Sequence, residues 1–318
     1  MVKKFYIKKI VTSLIVLFAI FLIYMIPNEK TKINIKEELE YVNKDVKTNT
    51  IFLLDSNNYL ASTKITTEQT DTVELSKELL YALTIDSYMQ NKIPNGFKSI
   101  IPSGTEVLNI IYDNNTIKVN FSKDLLNTNI NNEEKIIEAI VYTLTSIDDI
   151  KFVIIYVEGE LLTYLPQSKI TLPSTLDRSY GINKEYNIIN NKNITKTTIY
   201  YVSNFNDTTY YVPVTKVTND NRNKIEIIID EMSSSNVYKH NLMSYLNSNT
   251  EIISVDQTDN ELTVNFNSAI FNDINTKDIL EEVIYTISMS INDNYDVETV
   301  VFNVENNEIY KSVLKSIE

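Results

Sequence analysis

"TEVLNIIYDNNTIKVNF", residues 105–121, and "TEIISVDQTDNELTVNF", residues 250–266, are two versions of one pattern. A constant offset of 145 sets Glu106 on Glu251, Asn115 on Asn260 and Val119-Asn120-Phe121 on Val264-Asn265-Phe266 without a gap. In each copy a polar centre, "DNN" or "TDN", separates two apolar arms of strand-forming residues, which is how a β-hairpin is written.

The similarity extends outward from these hairpins. Upstream, residues 51–54 in "TIFLLD" correspond to 199–202 in "TIYYVS", and a second strand-like stretch follows each, "YLASTKIT" and "TTYYVPVTKVT". Then "TVELSKELLYALTIDSYM" spaces Val73, Leu79, Leu80 and Leu83 for one helix face, and "NRNKIEIIIDEM" repeats that element in shorter form. Downstream, "EEKIIEAIVYTLTSI" and "KDILEEVIYTISMSI" both place an acidic first turn before an apolar helical face, with Tyr142-Thr143 falling on Tyr285-Thr286. "IKFVIIYVEGE" and "VETVVFNVENN" close each copy with a buried strand and a turn.

The order β-β-α-β-β-α-β therefore occurs twice. Any two amphipathic segments share residue types, but recurrence in the same order, with identical polar residues at matching places, marks an internal duplication. The expected fold class is α+β: two tandem copies of a small α/β module, each with two helices packed on one face of a mixed sheet and a single core per copy. The expected domains are a cytoplasmic stub and anchor (1–27), a stalk (28–49), a first module (50–172), a linker (173–196) and a second module (197–318). The linker contains Pro173 and Gly181 and is compatible with a flexible or a packed connection.

The amino terminus indicates a compartment. Lys3, Lys4, Lys8 and Lys9 precede an uncharged run over residues 10–26, long enough at about 1.5 Å per residue to cross a thin hydrocarbon core. A cleaved signal needs small residues spaced like A-x-A after the run, whereas this one ends in Tyr24, Met25, Ile26 and Pro27. The expectation is a single-pass anchor in the cell membrane with the amino terminus cytoplasmic and the two modules extracytoplasmic. The pattern around residues 35–42 predicts a partly helical stalk.

Composition narrows the partners. Lysine and arginine total 29 against 42 acidic residues, a net charge of −13, and Arg178 and Arg222 are the two arginines. Nucleic acid binding needs a dense positive surface and is excluded. Without the four leading lysines the remainder is more acidic still, so electrostatic adhesion to anionic lipid or acidic wall polymer is not expected. The sequence has no cysteine, which removes disulfides, thiol nucleophiles and thiolate metal sites.

Together "IPSGTEVLNIIYDNNTIKVNFSKDLL" and "EEKIIEAIVYTLTSIDDIKFVIIYVEGE" resemble the GerM domain family of spore-forming bacteria, usually found as two tandem copies behind an amino-terminal membrane attachment. The shared run is proline, glycine, threonine, hairpin, helix and a valine-rich strand ending in a glycine turn. The second copy departs from it, with Asn247 and Asn249 in place of Pro102 and Gly104, and Asn306 in place of Gly159, so different turns are expected there. The resemblance implies a role in sporulation and germination and a fold similar to the ring-building modules of envelope-spanning complexes.

Residues that could carry catalysis are sparse. His240 lies in the polar segment "YKHNL" with no second histidine for a zinc pair, and no serine sits in a G-x-S-x-G turn. Asp148-Asp149 reads as a helix terminus, because neighbouring loop acids rarely face one point. Gly96, Gly104, Gly159 and Gly181 are too far apart to form a phosphate loop, and Glu106 and Glu251 occupy equivalent positions suited to a shared structural task. No catalytic, cofactor-binding or metal-binding residue is expected.

Two readings remain. The favoured one is a non-catalytic assembly protein whose modules pack against other sporulation envelope proteins or further copies of the chain, in contacts that close into a ring where the rotation permits. The alternative is a peptidoglycan-binding or wall-modifying envelope protein, for which the 21 tyrosines offer stacking rings, chiefly Tyr200-Tyr201 and Tyr210-Tyr211. A vegetative envelope protein unconnected with spores is a third, plainer possibility.

Overall fold

The computed structural model describes residues 17–18, 47–206, 208–234 and 241–314. The expected span over residues 10–26, apart from Leu17 and Phe18, lies outside the described residues, as do most of the stalk and His240. Among the described residues no helix is long and apolar enough to cross a membrane.

The first module runs β1 (Thr48–Leu54), β2 (Leu60–Thr66), α1 (Thr72–Leu83), β3 (Val107–Asp113), β4 (Thr116–Phe121), α2 (Ile130–Leu144), β5 (Phe152–Val157) and β6 (Glu160–Leu161). A linker strand, β7 (Glu185–Asn187), follows. The second module runs β8 (Thr195–Phe205), β9 (Thr208–Thr218), α3 (Lys224–Ser233), β10 (Ile252–Gln257), β11 (Glu261–Phe266), α4 (Glu281–Asn294), β12 (Thr299–Val304) and β13 (Asn307–Val313). The expected order is present twice, with one further strand closing each copy where the sequence suggested a turn. Helix starts follow local chemistry: Asp71, Asn129 and Asn223 each accept hydrogen bonds from first-turn N–H groups of α1, α2 and α3.

The duplicated hairpins match in detail. β3 and β4 are antiparallel with a bulge between Val107 and Asn109, and β10 and β11 repeat it between Ile252 and Ser254. In each module the inner hairpin strand pairs in parallel with the next strand, β4 with β5 and β11 with β12. Asn120 Oδ1 accepts from Gly159 N at 2.9 Å, and Asn265 Oδ1 from Asn306 N at 2.9 Å, so the matched asparagines clamp the same closing turn. The substituted glycine changes little there: Glu158-Gly159 and Glu305-Asn306 all have positive φ, which asparagine tolerates better than most residues. At the other site the turns do differ, for Gly104 has φ 83° whereas Asn249 N donates to Asn247 Oδ1 at 3.0 Å in an Asx turn.

Two expectations are corrected. The opening hairpins do not stay with their own sheets; they join in one five-stranded sheet, in which β9 carries β8 along one edge and shares its other edge between β2 and β7. Nor does each copy have a separate core, because one continuous hydrophobic cluster runs from Ile51 to Val304. The physical reason lies in β8 and β9, where consecutive buried residues over 197–203 and 212–215 leave no solvent face and require layers on both sides.

A third correction concerns register. Phe52 N donates to Thr143 Oγ1 at 3.1 Å and Tyr200 N donates to Ser290 Oγ at 2.9 Å, satisfying the outer edges of β1 and β8 in the same way. The neighbouring edge positions repeat as well, with Leu54 bridged to Lys98 and Val202 to Met243. Thr143 therefore corresponds to Ser290, not to Thr286, and Tyr142, fully buried, is not the counterpart of Tyr285, which is 38% exposed.

Candidate interaction face and module junction

The acidic residues singled out in the sequence bond through their backbones. Asp149 has positive φ, and its carbonyl accepts from Asn115 Nδ2 at 2.8 Å, pinning the exit of α2 to the first duplicated hairpin. Glu106 N donates to Ser122 Oγ and Glu251 N to Asn267 Oδ1, while both carboxylates face solvent. Among the described residues no group of three or more His, Cys, Asp or Glu side chains could hold a metal ion.

The tyrosine runs named for the alternative, wall-binding reading are mostly turned away from solvent. Tyr200 is fully buried, Tyr201 and Tyr210 nearly so, and Tyr211 stacks on Tyr285 with centroids 4.2 Å apart. The doubly covered β8–β9 hairpin turns three of the four rings inward. Tyr210 serves the contact between modules instead: its hydroxyl donates to Asp55 Oδ2 at 2.9 Å and its ring meets Phe97 edge-on.

The linker is packed, and it contains functional residues that sequence reading missed. Gly181, at φ 89°, lies so close to β9 that a Cβ would come within 2.9 Å of Thr215 Cγ2. Next to it, Asn183 fills the interval between β2 and β9: its Oδ1 accepts from Leu60 N at 2.9 Å, and its Nδ2 donates to Leu60 O at 2.7 Å and Pro213 O at 2.8 Å. Lys184 pairs with Glu134 at 2.7 Å and Glu138 at 3.0 Å over the Tyr180 ring. Burial pushes the Glu138 carboxyl up, against the pull of Lys184.

Arg178 is the centre of the junction. Its guanidinium reaches Asp293 of α4, Thr145 and Ser146 beyond the end of α2, and the ring faces of Tyr142 and Phe52. Tyr200 completes the cluster by donating to Asp293 Oδ2 at 2.9 Å; burial and the Asp293 charge raise its pKa well above that of an ordinary phenol, so it remains a neutral donor. The linker thus binds both modules and fixes their relation. The signal available in the sequence was a lone arginine in a linker, beside a Tyr-Gly pair.

The surface distinguishes the two copies. On the outer face of the first sheet, cross-strand register aligns Ile111, Lys118 and Ile154 in one row, Asn109, Asn120, Tyr156 and Leu161 in the next, with Phe152 beside Thr116. Ile111 is 50% exposed, and Phe152 and Leu161 are exposed to a lesser degree. The corresponding rows of the second sheet are Asp256, Thr263, Val301 and Lys311, then Ser254, Asn265, Asn303 and Glu308. A third row is Asp113, Thr116 and Phe152 in the first sheet and Glu261, Thr299 and the half-exposed Val313 in the second, so the same backbone presents a more apolar face in the first module than in the second. Lys118, half-buried among the apolar side chains, has no carboxylate partner among the described residues.

These features define a duplicated α+β protein whose two modules share a central sheet and are joined by a packed linker. The chain matches the Germane family, described as sporulation and spore germination, over residues 50–163 and 198–310, and it belongs to that family. It is 28% identical over 259 residues to the spore germination protein GerM of Bacillus subtilis (strain 168), covering 80% of this chain and 70% of that one. Its fold is similar to the solved tandem GerMN domains of the sporulation protein GerM from Bacillus subtilis, with a TM-score of 0.74 and 27% identity, covering 82% of this chain and 92% of that one.

Proposed function

We propose that this chain is a non-catalytic, membrane-anchored assembly protein of sporulation or germination, holding its two modules on the extracytoplasmic side and docking another protein chain on the outer face of the first sheet. The observation that carries this reading is the contrast between the two copies. Duplication supplies an internal control: a face needed only for folding has no reason to be more apolar in one copy than in the other, and exposed apolar patches mark interaction sites. Lys118 specifies the partner further. A two-fold pairing of this face with itself brings like charges together, so the matching surface is apolar with a carboxylate at its middle. The basic residues ahead of the apolar run at 10–26 support the anchor and its orientation. The packed linker supports transmission of orientation from one module to the other, as a ring or envelope-spanning complex requires.

The test uses photo-crosslinking side chains at Ile111 and Phe152, with Asp256 and Thr299 of the second module as matched controls, in sporulating cells. The expected result is one discrete adduct from the first pair alone, weakened by Lys118→Glu together with the yield of heat-resistant spores. Adduct mass distinguishes a second copy from a different protein. Equal labelling from both modules, or none from either, defeats the proposal.

A further inference from the structure

We infer that the first module carries a binding groove for an amino-sugar glycan, of the kind that forms peptidoglycan strands, between α1 and the loop over residues 85–92. The groove is open, encloses about 460 Å³, and is lined by Gln69, Glu74, Lys77, Glu78, Tyr81 and Tyr88. Its floor is one stripe of α1, since Glu74, Lys77, Glu78 and Tyr81 recur at three- and four-residue spacing. Glu74 is exposed, Lys77 and Tyr81 are half-buried, and Glu78 is buried at its base.

Two features suit a sugar. The first is a fixed, exposed aromatic ring. Tyr88 is 68% exposed and leans on Tyr81 with centroids 5.5 Å apart. Its backbone is nonetheless held on both sides: Ser87 Oγ donates to Tyr81 O at 2.5 Å and accepts from Met89 N, and Met89 is buried in the core. Beyond its contact with Tyr81 this large ring is left in water on an anchored backbone, and a pyranose presents an apolar C–H face that stacks on such a ring. The second feature is the polar rim. The Gln69 amide, the Glu74 carboxylate and the Lys77 ammonium face the groove without partners among the described residues, supplying donors and acceptors for hydroxyl and acetamido groups. Glu78 is committed elsewhere, accepting from Glu68 N and Gln69 N and pairing with Lys92 at 3.4 Å, so it shapes the wall.

The net charge of −13 sets the mode of binding. An acidic chain gains nothing electrostatic from an acidic polymer, so the contact rests on stacking and on hydrogen bonds to uncharged hydroxyl and acetamido groups and depends little on salt. It is also independent of the protein-docking face, which lies on another part of the module, and each can fail without the other.

The experiment titrates the full-length chain in detergent with two probes from cell wall: peptide-free glycan strands, and stem peptides without glycan. The expected result is binding to the glycan alone, little changed between low and high salt, weakened about tenfold by Tyr88→Ala and retained by Tyr88→Phe. Tyr88 is exposed, so its truncation should leave the melting temperature unchanged, separating lost binding from lost folding. Absence of glycan binding, preference for the stem peptides, or full affinity in Tyr88→Ala overturns the inference.

Discussion

Arg178 Nη1 and Asp293 Oδ1 meet at 2.5 Å across the junction, linking a residue of the linker to the last turns of α4. The Asp293 side chain is completely buried, so its charge is tolerable only while the guanidinium and the Tyr200 hydroxyl are in place. Arg178→Met should destabilise the protein by about 3–5 kcal/mol, because it leaves a buried carboxylate unpaired. Adding Asp293→Leu should recover most of that loss. Arg178→Lys should fall between, since an ammonium cannot cover Tyr142 and reach Ser146 at once. Denaturant midpoints of Arg178→Met, Asp293→Leu and their combination, with Arg178→Lys alongside, check the cycle.

Asn183 carries a different load at the same junction. Pro213 has no N–H to give to a neighbouring strand, and β2 and β9 share a single ladder pair, Ser62 with Tyr211. The Asn183 amide bridges the interval by bonding to both Leu60 and Pro213. Asn183→Ala should cost about 2–4 kcal/mol from the orphaned groups together with left-handed strain at φ 47°. Asn183→Gly separates the two contributions, because it removes the amide but accepts the backbone. Amide exchange at Leu60 should quicken in both variants, and protection that survives in either would show that the bridge is dispensable.

What the sequence revealed about this junction, and what it hid, follows from the range of the interactions. Hairpins and helices were legible because Ile117, Val119 and Phe121, or Ile136 and Ile140, announce their periodicity within a few residues. The union of β2 with β9 was not, because strand pairing over 149 residues leaves no local mark. The helix register slipped by one turn for a related reason: residues four apart share a helix face, so Tyr142 on Tyr285 satisfies the apolar pattern nearly as well as the true match. Only the hydroxyl contacts of Thr143 and Ser290 decide it. The tyrosines misled because a run such as Tyr200-Tyr201-Val202 reads alike whether its rings face water or a second layer. The apolar face was present as Ile111, Phe152 and Leu161, yet recognising it required the cross-strand register.

Thr143 and Ser290 give the duplication an energetic test. Each accepts a backbone N–H from the first strand of its own module, and each residue is fully buried. Thr143→Val and Ser290→Ala should each cost about 1–3 kcal/mol, the penalty of a buried unpaired donor. Thr286→Val, at the position the sequence alignment proposed, removes a hydroxyl that bonds back to Glu282 O within its own helix and should cost less. Thermal melts of the three variants rank them, and a Thr286 effect as large as that of Ser290 would contradict the assigned equivalence.

Glu133, in the first turn of α2, should impose an acid limb on stability. Its Oε1 accepts from Gln167 N at 2.9 Å and its Oε2 from Ser168 N at 2.7 Å, tying the helix start to the loop after β6. Burial favours the neutral acid, but the two backbone N–H groups, with the Ser168 hydroxyl and Lys169 nearby, outweigh it and hold the carboxyl below its ordinary range. Unfolding restores the ordinary value, so between the two the unfolded chain binds more protons and stability rises with pH. The contribution is complete above the ordinary carboxyl range and disappears as the pH falls through the lowered folded value. Glu133→Gln should therefore be less stable than the parent by about 1–2 kcal/mol at neutral pH, with the gap closing below about pH 4. Melting curves of both proteins across that range measure it; a gap that stays constant with pH would place the effect in packing rather than in the charge.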